Sequence, residues 1–188
     1  MRLTLIPVLL RPALVAILAT SCTHPSLPDA GAPVREVVLS YDDNRASANL
    51  AFPNRSYETL VRFQLPPGKH RPVRLRAMAS GAGMLELTLY TNSVFEAPAE
   101  VIHGATWTIA PDDVSTGKDG RWLVADLRAV AALEGVIWLG VRKLGGEPSL
   151  WTSAAYSGQS FLRDRAPGSS LGVLPVKRTP MLRLELAE

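Results

Sequence analysis

Residues 84–90, MLELTLY, place leucine at 85, 87 and 89 with Glu86 and Thr88 between them. An apolar period of two marks a strand with one face on a core, because successive side chains of an extended chain point to opposite sides. The alternation recurs in TLVRFQL at 59–65, where Val61, Phe63 and Leu65 flank Arg62 and Gln64. It recurs again in MLRLEL at 181–186, where Leu182, Leu184 and Leu186 flank Arg183 and Glu185. Residues 135–141, GVIWLGV, are apolar almost throughout, as a central strand covered on both faces should be.

Outward from these runs, shorter strands are expected over 36–41, 73–78, 106–109, 121–126, 136–141, 150–152 and 161–163. Turn signals separate them: Pro66-Pro67-Gly68, Gly81-Ala82-Gly83, Lys118-Asp119-Gly120, Gly145-Gly146 and Ala166-Pro167-Gly168. One segment, LRAVAAL at 127–133, has a helical composition, but it is short and stopped by Gly135, so it reads as a turn of helix or an irregular connection. No internal repeat marks a solenoid or propeller. The expectation is an all-β chain, with a single jelly-roll-type antiparallel β-sandwich over residues 34–188.

The first 33 residues differ in kind from this body. MRLTLIPVLLRPALVAILATSC carries Arg2 and Arg11, an apolar block and then small residues, which is the layout of an export signal. A membrane-spanning helix fits poorly, because Arg11 and two prolines interrupt a run that needs about 20 apolar residues. Ala19-Thr20-Ser21-Cys22 resembles the lipobox of bacterial lipoproteins. That resemblance implies removal of residues 1–21, acylation of Cys22, and residues 22–33 as a proline-rich tether, THPSLPDAGAP after the cysteine. Ala19 stands where leucine, valine or isoleucine is usual in that family, and ordinary cleavage near Ala19 is the alternative. Thr23 takes the place of the aspartate that such lipoproteins use for inner-membrane retention, which points to the outer membrane of a two-membrane bacterium.

Cys22 is the only cysteine, so no disulfide forms within the chain. A buried thiol needs folded surroundings that the tether does not offer, and a nucleophile needs a base where only His24 is near. Loss of Arg2 and Arg11 reduces 20 basic residues to 18, against 17 acidic ones. The near-neutral remainder shows no basic stripe interleaved with aromatics, so nucleic acid is not an expected partner. An apolar content of 47% excludes wholesale disorder.

The body is also similar to the jelly-roll, carbohydrate-binding-module-like domains appended to secreted bacterial hydrolases and surface proteins. The likeness is carried by TLVRFQLPP, LELTLY, GRWLVADL, GVIWLGV, PSLWTSAAYSGQSFLRD and PMLRLEL in that order, with an acidic turn Tyr41-Asp42-Asp43-Asn44 and a Gly158-Gln159-Ser160 element. It implies the sandwich fold; the export signal, the tether and the sparse catalytic patterns add the expectation of a domain that binds a glycan or an envelope protein. Among the four tryptophans, Trp138 reads as core, while Trp107 and Trp151 beside polar residues read as candidates for an exposed stacking platform. The loop after Trp151 adds Tyr156, Gln159, Arg163 and Asp164.

Catalytic patterns are sparse. His24, His70 and His103 have no metal-ligand spacing, and GQS at 158–160 is no nucleophile elbow. Asp42 and Asp43, and likewise Asp112 and Asp113, sit where calcium ligands or ordinary turn formers are both at home. The chain therefore reads as a non-catalytic envelope lipoprotein without a cofactor, calcium apart. The alternative is a hydrolase of envelope polysaccharide, using carboxylates among Asp112, Asp113, Asp126 and Asp164.

Overall fold

The computed structural model describes residues 36–109, 120–167 and 172–187, and every regular element among them is a strand. The expected export signal and tether, with Cys22, and likewise Asp112 and Asp113, lie outside the described residues. In chain order the strands are β1 (Glu36–Ser40), β2 (Ala48–Ala51), β3 (Tyr57–Gln64), β4 (Arg71–Ser80), β5 (Gly83–Asn92), β6 (Pro98–Ile109) and β7 (Arg121–Asp126). They continue with β8 (Val136–Gly146), β9 (Ser149–Ser153), β10 (Ser160–Asp164), β11 (Leu174–Pro175), β12 (Thr179–Pro180) and β13 (Leu182–Ala187).

Strands β1, β13, β4 and β7 stand side by side in a first sheet, and β3, β8, β5 and β6 in a second, with every pairing antiparallel. Renumbered along the chain from one to eight, these strands read 1-8-3-6 and 2-7-4-5, which is the connectivity of a jelly roll. β2, β9 and β12 extend the first sheet, while β10 and β11 extend the second beyond β3.

The alternating leucines meet between the sheets. Leu85, Leu87 and Leu89 of β5, Ile137, Leu139 and Val141 of β8, and Val61 and Phe63 of β3 pack against Leu75 and Ala77 of β4 and Leu182, Leu184 and Leu186 of β13. Each fully buried aliphatic or aromatic side chain contributes about 1.5–3 kcal/mol, so a one-residue slip of any of these strands would forfeit several such terms. β8 is covered on both faces: Trp138, on the outer side, is buried under Phe161 and Val136. Residues 127–133 form an irregular connection with a single turn, Val130 N–H donating to the Leu127 carbonyl at 2.8 Å, and Leu133 bridges to His70.

Register also defines the two ends of the sandwich. Glu36 pairs with Ala187, Ala187 with Arg71, Arg74 with Asp126, Gln64 with Val136 and Asn92 with Pro98. The start of β1, the 127–135 connection and the β5–β6 hairpin therefore share one end. Opposite them, the β4–β5 and β8–β9 turns meet where Glu147 N–H donates to the Ala82 carbonyl at 2.9 Å.

Candidate functional site on the outer face of the second sheet

In an antiparallel pair, directly opposed residues project to the same side. Glu58 of β3 opposes Arg142 of β8 and Arg163 of β10, Glu86 of β5 opposes Arg142, and Trp138 opposes both Arg62 and Tyr90. The polar positions of four strands thus gather into one array on the outer face.

Its centre is Glu58, whose side chain is fully buried. Tyr90 donates its hydroxyl to Oε1 at 2.7 Å, while Arg163 donates Nε to Oε2 at 3.1 Å and a second guanidinium N–H to the same oxygen. Arg165 sits 3.6 Å from Glu58 Oε1 and donates to Glu86 Oε2 at 3.3 Å, so one guanidinium links both carboxylates. Arg142 donates Nε to the same Glu86 oxygen. The Arg163 guanidinium lies 4.9 Å above the Tyr90 ring. Further along the face, Arg62 donates to the Gln159 side-chain carbonyl at 3.4 Å, and Trp138 donates its indole N–H to Asn92 at 2.7 Å.

The electrostatics follow from this wiring. The Arg142 hydrogen bond holds the Glu86 carboxyl below the usual carboxylate range, and the reciprocal bond raises Arg142. Burial, then the Glu58 charge, push the Tyr90 hydroxyl up. A general acid must be protonated near neutrality; Glu86 is held in the opposite sense and Glu58 is sealed from solvent. What the array does offer is a rigid display of guanidinium edges with side chains 20–31% exposed, together with the Glu86 carboxylate and the Gln159 amide.

Of the residues singled out in the sequence, Arg163 and Gln159 belong to this array. Asp164 points to the other side of β10 and accepts the Ala166 N–H at 2.9 Å. Tyr156 is exposed on the loop that carries Gln159. Of the two tryptophans of the platform reading, one is buried and the other half-buried. Trp151 is buried, closed over by Met78 and by Gly120, where a Cβ would collide with the indole. Trp107 is half-buried against the main core, and its N–H reaches across to the Val124 carbonyl at 3.1 Å. The sequence reading missed Glu58, Glu86, Tyr90, Arg142 and Arg165. Their signal is opposite charge at the solvent-side positions of neighbouring strands.

The first sheet repeats the device without the same reach. Glu185, almost fully buried, lies 2.5 Å from Nε of both Arg74 and Arg76. Arg183 grips Asp42 with two bonds of 2.7 and 3.1 Å while stacking 4.4 Å over Trp122. Both Asp42 oxygens therefore serve a guanidinium where the calcium reading would place a metal ion. Asp43 caps its own turn through the Arg45 N–H at 3.0 Å, and no cluster of three or more potential metal ligands occurs among the described residues. Asp126 pairs with Arg128 on this sheet, remote from Asp164 on the other, so the two described aspartates of the hydrolase reading share no cleft.

No protein-family model and no curated protein matches this chain.

Proposed function

We propose that the chain is an exported envelope lipoprotein, anchored through Cys22 in the outer membrane, whose sandwich binds a glycan without chemical turnover. The carrying observation is the outer array of the second sheet. Glu58, buried and fully engaged, holds Arg163 and Arg165 with their outer edges partly open to solvent. Fixed donors and acceptors on a stiff sheet suit a ligand that presents many hydroxyl groups, since little ordering entropy is lost on binding. Tyr156, on the Gln159 loop, adds an exposed aromatic ring of the kind that packs on sugar faces.

Retention of the protein in gels cast with purified envelope polysaccharide tests the reading. The wild-type chain should be retarded, and Arg165→Gln should migrate as in a plain gel while keeping its circular dichroism spectrum. Equal migration of the wild type with and without polysaccharide overturns the glycan reading, and capture of an envelope protein through the same array would replace it. The anchor has a separate test: fatty-acid labelling and membrane fractionation should both be lost in Cys22→Ser.

A further inference from the structure

The β5–β6 hairpin holds two apolar side chains out in water. Val94 is 92% exposed and Phe95 88%. The turn beneath them is closed by its own hydrogen bonds: Ser93 N–H donates to the Ala97 carbonyl at 2.8 Å, and the Ser93 hydroxyl oxygen accepts the Phe95 and Ala97 N–H groups at 3.2 and 3.1 Å. Glu96, with φ at 54°, completes it and turns its carboxylate back toward Arg62, 3.8 Å away. Valine and phenylalanine side by side make a contiguous exposed apolar patch on a well-satisfied turn.

We infer that this tip is a membrane-contact element, with Val94 and Phe95 entering the interfacial layer of the bilayer that carries the Cys22 anchor. The inference rests on the anchor reading above, and position in the fold selects the occupant. The hairpin shares its end of the sandwich with Glu36, the first described residue. Cys22 precedes Glu36 by fourteen residues, a chain that spans about 50 Å at full stretch. Ten-residue strands such as β4 and β5 are about 33 Å long. Bringing the opposite end to the bilayer would take up most of the tether, whereas the hairpin end reaches it with the chain slack. A largely apolar groove of about 480 Å³ at the same end takes its lining from Thr91 and Asn92 at the hairpin base and from Ile102, Leu133, Glu134 and Ile137. Charges around this end are mixed, with Glu96, Glu100 and Glu134 against Lys69 and Arg71, so the contact is apolar and should not depend on anionic lipid.

The test uses the full lipidated chain in zwitterionic vesicles, with a polarity-sensitive fluorophore on Phe95→Cys or, at the opposite end, on Glu147→Cys. Both side chains stand in solvent, so labelling leaves the fold intact. The Phe95 probe should shift to the blue and lose emission to quenchers carried on lipid, while the Glu147 probe keeps its aqueous spectrum. Equal, water-like spectra at both sites on an anchored protein overturn the inference and leave the anchor standing. A blue shift without lipid quenching assigns the tip to a protein surface, such as a second copy, and also overturns it. Absence of fatty-acid label on Cys22 removes the anchor, and the inference with it.

Discussion

Glu58 lays its carboxylate over Gly140 on the neighbouring strand, in the space that a Cβ at residue 140 would occupy. The Tyr90 ring closes the same space from the other side. Glycine in the middle of a central strand is otherwise unfavourable, so this one is there to seat a buried charge. Gly140→Ala should cost about 2–4 kcal/mol by overpacking and by dislodging a paired buried carboxylate, read as a lower urea midpoint at unchanged m-value.

Glu86 supplies the acid dependence. Its folded pKa lies below the unfolded value, so its contribution is complete above the ordinary carboxylate range and disappears as pH falls through the depressed folded value. Arg142→Met should therefore be destabilised relative to wild type at neutral pH, with the gap closing in acid. Because both side chains are about a quarter exposed, solvent screening limits the neutral-pH gap to about 1 kcal/mol. Urea melts at two pH values measure it.

Tyr90 works in the opposite sense. Its folded pKa is raised, so it stabilises the fold below the unfolded value of about 10, and that contribution is lost as pH climbs through the folded value. Ultraviolet titration should show a tyrosine step above the ordinary range. In Tyr90→Phe the late step should vanish.

Much of this architecture was legible in the sequence. MLELTLY and MLRLEL became β5 and β13 with the expected face inward, and the unbroken apolar run of GVIWLGV became a strand buried on both sides. The first half of β6 was not legible, because PAEVIHGA at 98–105 lacks alternation and serves as an edge strand with β5 as its neighbour. Trp151 misled because Thr152 and Ser153 follow it. Polar side chains usually signal exposure, but here β2 and β12 flank β9 on both sides and bury all three residues.

The site was harder to see for a different reason. Arg163 is 105 residues from Glu58, and Arg183 is 141 from Asp42. Each residue looks like an ordinary solvated strand position until register puts the partners side by side. Local pattern specifies which face a residue takes, but cross-strand pairing specifies what it meets there.

The Asp42–Arg183 pair separates an ion pair from a metal site. Asp42 is fully buried and Arg183 is 20% exposed, so Asp42→Ala should destabilise by about 1–3 kcal/mol. Millimolar calcium should leave the thermal midpoint of the wild type unchanged. A midpoint that rises with calcium and no longer does so in Asp42→Ala would restore the metal reading.

Calorimetric titration of envelope polysaccharide into Arg165→Gln, beside the wild type and the first-sheet variant Arg76→Gln, decides whether the array around Glu58 and Arg165 is the proposed glycan-binding face. Affinity should fall by about tenfold or more, near 1.4 kcal/mol, in Arg165→Gln alone. Wild-type affinity in Arg165→Gln, or a loss confined to Arg76→Gln, would contradict the assignment of the binding face.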